Sequence, residues 1–142
     1  LVKKFPSQIV GVKDSSYNLY ENLKIDNFSV MPGSESKLLK GLELGCSGII
    51  TATTNVTSIL ARDVYDKFQN GSDQLSNKKL CLVRSIFDKF NLISGLHTFM
   101  AQIDQDYLNL IPPLKLLNEN EKKIFFAELQ KLDFDFKHLK AA

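Results

Sequence analysis

Cysteine is scarce in this 142-residue chain, in which Cys46 and Cys81 are the only two. They form no Cys-x-x-Cys pair and lie in no cluster with histidine at metal-ligand spacing, so no metal site is expected. Buried free thiols are favoured over a disulfide or a nucleophile, which fits a reducing, cytoplasmic setting. His97 and His138 lie far apart without neighbouring acids or cysteines, so structural or surface roles are favoured for both.

The sequence also lacks an excess of charge and any long apolar run. Its 18 basic and 16 acidic residues give a net charge of +2, too balanced to predict a nucleic-acid surface or a polybasic membrane patch. No apolar run approaches the roughly 20 residues of a membrane span. Apolar residues at 44% and charged residues at 24% are typical of a globular chain with one hydrophobic core.

Short apolar runs alternate with helical patterns in the first half of the chain. Strands are predicted at 8–13, 28–33 and 47–53, and helices at 16–24, 34–45 and 57–71. The first strand is apolar at nearly every position, so both of its faces are expected to be covered. This alternation predicts parallel strands joined by crossover connections, in an open α/β sheet or a barrel.

The pattern changes at residue 72, after which only helices are predicted. One long helix is expected over 72–93, a second helical segment over 95–105, and an extended segment over 111–117 around the double proline. Asn118 is expected to begin a last helix, with Glu121 completing a capping box. The sequence therefore predicts an α/β part over 1–71 and an all-helical part over 72–142.

Lys13 stands at the carboxyl end of the first predicted strand, where α/β folds place their chemistry. In a buried site desolvation disfavours an ammonium ion and favours the neutral amine. A neutral amine attacks a ketone to form a Schiff base, whose cationic nitrogen serves as an electron sink for carbon–carbon bond chemistry. Alternatively, Lys13 extends from the strand end and only solubilises it. Its position alone leaves both interpretations open.

Three motifs in order resemble the pyruvate-dependent class I aldolases of the dihydrodipicolinate synthase / N-acetylneuraminate lyase family. They are Gly11-Val12-Lys13-Asp14-Ser15-Ser16, Gly33-Ser34-Glu35, and Gly48-Ile49-Ile50-Thr51-Ala52-Thr53-Thr54-Asn55. Residues 111–132 look like the family's proline-containing loop and closing helix. The resemblance implies a TIM (β/α)8 barrel followed by a helical extension, and such a barrel takes about 250 residues. Residues 1–71 are then expected to be strands six to eight with their helices, without the first five strands, and residues 72–142 the extension.

The resemblance also implies a set of site residues. Lys13 matches the Schiff-base lysine, Ser15 a substrate contact on the same strand end, and Ile50 the residue whose backbone carbonyl faces pyruvate. Gly33, Ser34 and Glu35 match the turn that handles the substrate beyond its pyruvate unit, and Ala52 matches a substrate-lining position. No metal or organic cofactor is implied, because the covalent intermediate forms on Lys13. A homo-oligomer is expected, a tetramer by resemblance.

The aldehyde partner stays open, because the chain departs from each subgroup. Sialic-acid lyases have serine where this chain has Ala52, and dihydrodipicolinate synthases often have two acids where it has Ser34 and Glu35. A Gly-Ser-acid turn is familiar from 2-keto-3-deoxy sugar-acid aldolases.

The family's proton-shuttling tyrosine and carboxylate-binding threonine loop have no match here. Packing or surface roles are favoured for the tyrosines of this chain, which are Tyr17, Tyr20, Tyr65 and Tyr107. By itself the 142-residue chain is therefore expected to be inactive, and a non-catalytic remnant or binding module of the same fold is the alternative.

Overall fold

The computed structural model describes residues 1–139, within which two strands pair in parallel. Strand β1 (Gly11–Asp14) and strand β2 (Ser29–Pro32) are joined through the one-turn helix α1 (Leu19–Asn22). One face of this pair is covered by an apolar cluster built on Tyr20, Val30 and Cys46. The predicted cover on both faces is wrong for these residues, since Val10 is 58% exposed and the Lys13 side chain is exposed.

The segment predicted as a third strand, 47–53, forms no strand in the structure, and its last residue, Thr53, already has helical dihedral angles. One backbone hydrogen bond joins it to β2, from the Ile50 N–H to the Pro32 carbonyl oxygen at 3.1 Å. Pro32 has no N–H to continue a ladder, and Gly48 has a φ of 146°, which bends the backbone out of the strand conformation. A bond between the Ser47 and Ser29 hydroxyls at 2.9 Å connects the segment to β2 further back.

Helices follow both strands and make up the second half of the described chain. Helix α2 (Leu38–Glu43) follows a 3₁₀ turn at Glu35–Lys37, and helix α3 (Thr54–Gln69) begins three residues earlier than predicted. The capping box predicted at Asn118 and Glu121 is confirmed at the start of helix α6 (Glu119–Lys131). Further 3₁₀ turns lie at Gln105–Leu108 and Phe136–Leu139.

The two helical segments predicted over 72–93 and 95–105 are confirmed as α4 (Leu75–Phe87) and α5 (Leu92–Met100), but the division between them lies earlier than predicted. Asn91 explains the division. Its side-chain oxygen accepts a hydrogen bond from the Ser94 N–H at 3.1 Å, so Asn91 caps a new helix instead of continuing the old one.

The largest core cluster joins helices from both sides of residue 71. Val56 of α3 packs with Val83 and Phe87 of α4, Phe99 of α5 and Phe125 of α6. The ring of Phe125 meets that of Phe87 edge-on, with centroids 5.0 Å apart. Residues that follow β2 and residues of the helical part therefore form one packed unit, which fixes the start of α3 against α4 and α5. No helix within residues 1–139 combines the length and apolar character needed to cross a bilayer.

Candidate active site

Lys13 lies at the third position of β1, beside Met31 of β2 in the parallel register. Side chains alternate along a strand, so Lys13 and Gly11 lie on one face, and Val12 packs into the apolar cluster on the other. We call the face that carries Gly11, Lys13, Ser29 and Met31 the inner face. Lys13 is exposed on it, so the water-excluded setting expected from the sequence is not formed by residues 1–139.

Two glycines near Lys13 allow neighbouring backbone and side-chain atoms to pack closely against the main chain. A side chain on Gly11 would place its Cβ 2.9 Å from the Ser29 carbonyl oxygen, and one on Gly33 would come within 2.9 Å of the Ser15 hydroxyl. The Gly33 N–H donates to the Asp14 carbonyl at 2.9 Å. The structure thus brings together Ser15 and Gly33, two of the residues predicted for the site, immediately beyond Lys13.

The loop after Lys13 is organised by the buried carboxylate of Asp14, which is 1% exposed. It accepts five hydrogen bonds of 2.7–3.0 Å, from the backbone N–H groups of Ser16, Tyr17, Leu19 and Tyr20 and from the Ser16 hydroxyl. Burial by itself raises the pKa of this carboxyl group. The hydrogen bonds outweigh burial and leave the pKa below its ordinary value of 3.8.

Asp14 is expected to make the fold acid-sensitive. The pKa of Asp14 is lower in the folded than in the unfolded state. Its carboxylate therefore stabilises the fold fully above the unfolded pKa, near 4, and this stabilisation is lost as pH falls through the folded-state pKa. Asp14→Asn leaves one carbonyl oxygen in place of two acceptors and should cost about 1–3 kcal/mol at pH 7. Urea denaturation at pH 7, 4 and 3 measures both effects.

The exposed Asp26 provides the control for this experiment, as Asp26→Asn. This variant should lose stability with acid as the wild type does. If Asp14→Asn showed the wild-type loss of stability between pH 7 and pH 3, the role given to the Asp14 carboxylate would be wrong.

Ser34 and Glu35, predicted to handle substrate, are both buried. The Ser34 hydroxyl lies 3.0 Å from the Ser36 hydroxyl and accepts from the Ser36 N–H at 3.4 Å. Glu35 is 0% exposed, and its Oε1 accepts from the hydroxyls of Thr51 and Thr57. Substrate contact by these two side chains stays a prediction, while the observed bonds tie the turn after β2 to the segment that begins α3.

Arg84 of α4 supplies the counter-charge to Glu35, and no sequence motif indicated it. Its Nη1 donates to Glu35 Oε2 at 2.8 Å and to the Thr53 hydroxyl at 3.2 Å, and its Nε donates to Asp88 at 2.9 Å. Burial opposes the charged guanidinium, but the bonds to Glu35 and Asp88 raise the pKa of Arg84. The resulting ion pair holds the turn after β2, the segment before α3 and α4 in one arrangement.

Ile50 lies beside the carboxyl end of β2, through the hydrogen bond from its N–H to Pro32. Among residues 1–139 no donor bonds to the Ile50 carbonyl oxygen. This backbone acceptor is the group that the sequence predicted to face pyruvate.

Ala52 lines a cavity of about 430 Å³ between the start of α3 and α5. Asn55, His97 and Tyr107 contribute its polar groups. His97 and Tyr107 were not predicted for the site, because they are distant in sequence from Ala52 and belong to no recognisable motif. His97 lies on α5, and Tyr107 lies on the 3₁₀ turn at Gln105–Leu108, which packs against α5.

A lysine at the carboxyl end of a parallel strand, followed by a glycine turn, is the arrangement in which α/β proteins place their chemistry, in barrels and in open sheets. Solved barrel structures match the described fold, and the chain covers about half of each. The chain belongs to the dihydrodipicolinate synthetase family, whose model matches residues 1–132.

Two curated relatives and one solved structure illustrate the similarity. A 4-hydroxy-tetrahydrodipicolinate synthase from Methanopyrus kandleri is 29% identical over 135 residues, covering 89% of this chain and 45% of the relative. A 2-dehydro-3-deoxy-D-gluconate/2-dehydro-3-deoxy-phosphogluconate aldolase from Picrophilus torridus is 35% identical over 72 residues, covering 47% of this chain and 27% of the relative. The fold is similar to that of a prophage protein of the dihydrodipicolinic acid synthase family from E. coli K12, which was solved in complex with pyruvate. The TM-score is 0.67 at 20% sequence identity, and the match covers 89% of this chain and 47% of that one.

The chain spans less than half the length of the curated relatives that it matches over most of its own length. The family and the relatives' names support a lyase of the pyruvate-dependent kind at the level of the family.

Proposed function

We propose that the complete protein is a pyruvate-dependent lyase of the class I aldolase type, acting on a carbon–carbon or carbon–oxygen bond through a Schiff base on Lys13. The observation that carries the proposal is the placement of Lys13 on the inner face, at the carboxyl end of β1, in a chain of this family. The pyruvate bound to the structural relative supports the same substrate here.

The reaction begins when the Lys13 amine adds to the keto carbon of pyruvate, and loss of water gives an iminium ion. The iminium draws electrons from the methyl carbon, which loses a proton to form an enamine. The enamine carbon then attacks the carbonyl carbon of an aldehyde, and the new alkoxide takes up a proton. Water hydrolyses the iminium, which releases the product and restores Lys13. Run in reverse, the same steps release pyruvate from a longer keto acid.

The neighbouring groups have roles in this scheme. The Ile50 carbonyl oxygen faces bound pyruvate, and Ser15 beside Gly33 contacts substrate at the strand end. Ser34 and Glu35 shape the turn that receives the aldehyde partner, with Glu35 acting from within its ion pair to Arg84. Ala52 lines the same region from the other side.

The scheme needs no metal and no organic cofactor, because the iminium on Lys13 is itself the electron sink. Within the described residues no group of three or more metal-binding side chains is arranged around a common point.

Two aldehyde classes are candidates. A dihydrodipicolinate synthase-like activity agrees with the Methanopyrus relative. A 2-keto-3-deoxy sugar-acid aldolase activity agrees with the Gly33-Ser34-Glu35 turn and with the Picrophilus relative.

Turnover of the complete protein tests the proposed function. Pyruvate is incubated with a panel of aldehydes, one at a time, and its consumption and the mass of the product are followed. We expect pyruvate to be consumed only when a suitable aldehyde is present. A protein that consumes none with any aldehyde, and releases none from the corresponding keto acids, would be the non-catalytic binding module instead.

Assembly and location complete the proposal. We infer a homo-oligomer, a tetramer by family resemblance, which light scattering on the purified complete protein measures directly. We also infer a cytoplasmic location, which the free thiols of Cys46 and Cys81 support.

A further inference from the structure

The cavity beside Ala52 has a largely apolar lining with a few polar groups. Three apolar side chains of α5, Ile93, Leu96 and Met100, form much of its wall. None of the lining residues is aspartate, glutamate, lysine or arginine. A charged end of a substrate would therefore find no counter-ion among these side chains, whereas a neutral substrate with hydroxyl groups needs none.

His97 is held in one orientation by two contacts with Tyr107. Its Nδ1 lies 3.0 Å from the Tyr107 carbonyl oxygen, and the two rings meet at a steep angle with centroids 5.6 Å apart. Since a carbonyl oxygen only accepts hydrogen bonds, Nδ1 carries the hydrogen, and in the tautomer with its single hydrogen on Nδ1 the Nε2 atom is an acceptor. Within residues 1–137 no group makes a hydrogen bond to this Nε2.

The second polar group of the cavity is Asn55, at the start of α3. Its side-chain Nδ2 donates to the Ala52 carbonyl at 2.8 Å, which orients the amide and leaves its oxygen as an acceptor. An oriented imidazole acceptor and an oriented amide beside an apolar wall suit the donors of hydroxyl groups on a short carbon chain.

We propose that His97 is a specificity-determining residue of the proposed lyase, whose Nε2 accepts a hydrogen bond from a hydroxyl group of a neutral, hydroxylated aldehyde. This inference rests on the proposed function and narrows it, favouring an aldehyde of the sugar type over one that carries a charge. The hydroxyl bond is made at the end of the aldehyde remote from Lys13, so the condensation of pyruvate does not depend on it.

The test compares glyceraldehyde with propanal, which has the same carbon skeleton without hydroxyl groups. In the complete wild-type protein we expect a lower KM for glyceraldehyde than for propanal. His97→Phe keeps a ring against Tyr107 but has no acceptor, so it should raise the KM for glyceraldehyde about 10-fold, the value of one hydrogen bond, and leave that for propanal unchanged. His97→Gln, which retains a polar end, should recover part of the difference in KM between glyceraldehyde and propanal.

Two further readouts separate this inference from the proposed function. Borohydride reduction with pyruvate alone should label wild type and His97→Phe equally. The imidazole ¹⁵N signal of His97 is identified by its absence from His97→Phe, and in the wild type it should shift when glyceraldehyde is added. If pyruvate is trapped but wild type and His97→Phe prefer glyceraldehyde over propanal equally, the role of His97 is wrong and the lyase stands. A preference of the wild type for succinic semialdehyde, which carries a carboxylate, over glyceraldehyde would likewise overturn the role of His97. If no pyruvate is trapped, the proposed function fails and this inference with it.

Discussion

Replacing Lys13 with arginine in the complete protein is expected to lower kcat on the order of 10³-fold or more. Arginine keeps the positive charge and much of the length of the side chain. Its guanidinium stays protonated throughout the working pH range and cannot attack the keto carbon of pyruvate. Steady-state assays of pyruvate consumption with the preferred aldehyde measure the effect.

Thermal unfolding of the complete protein separates a loss of chemistry from a loss of folding. Lys13→Arg keeps the charge and most of the side-chain length, so it should unfold close to the wild-type temperature while losing turnover. Lys3→Arg, at another exposed lysine, is the matched control and should retain wild-type turnover. A Lys13→Arg protein whose kcat stays within tenfold of the wild type would exclude a Schiff base at this position.

Replacing Arg84 with methionine is expected to destabilise the protein by about 3–5 kcal/mol. Glu35 is completely buried, so loss of its partner leaves an unpaired carboxylate in the interior, with only two threonine hydroxyls as donors. Glu35→Gln in the same chain removes that charge. The double variant should therefore be more stable than Arg84→Met alone, which equilibrium unfolding in urea measures.

The exposed pair of Arg62 and Asp66 on α3 supplies the control. An arginine and a carboxylate also form an ion pair there, with 2.7 Å between Arg62 Nη2 and Asp66 Oδ1, but the arginine side chain is 70% exposed. Arg62→Met should leave the stability close to that of the wild type, because an exposed ion pair gains little over the hydration of its separate charges. Equal losses in Arg84→Met and Arg62→Met would contradict the importance of burial, and with it the role of the Glu35 pair in holding the turn after β2.

Local signals in the sequence predicted the helices well where capping chemistry is explicit. The capping box at Asn118 placed the start of α6 correctly, because both of its hydrogen bonds lie within four residues. Asn91 offers the same chemistry, but the apolar pattern continues through Leu92 and Ile93, so the periodicity placed the break between α4 and α5 too late. The strand predicted at 47–53 depended on a partner ladder, and Pro32 cannot donate to one.

Residues of the site were predictable only where they lie within motifs. Lys13 is recognisable because it ends an apolar strand, and the motif that contains it also contains Ser15. Arg84 contacts Glu35 and His97 lines the cavity beside Ala52 through the packing of α4 and α5, and nothing near them in sequence indicates these contacts. The acid of the Gly33-Ser34-Glu35 motif was expected at the substrate, and its observed bonds to Thr51, Thr57 and Arg84 emerge only from the tertiary structure.

The central claim, a Schiff base on Lys13, is tested most directly by trapping it. The complete protein is treated with borohydride in the presence and absence of pyruvate, digested, and mapped by mass spectrometry. The account predicts a reduced pyruvate adduct on the peptide that contains Lys13, dependent on pyruvate and absent from Lys13→Arg. An unmodified Lys13, or an adduct of equal yield on other lysines, would contradict it.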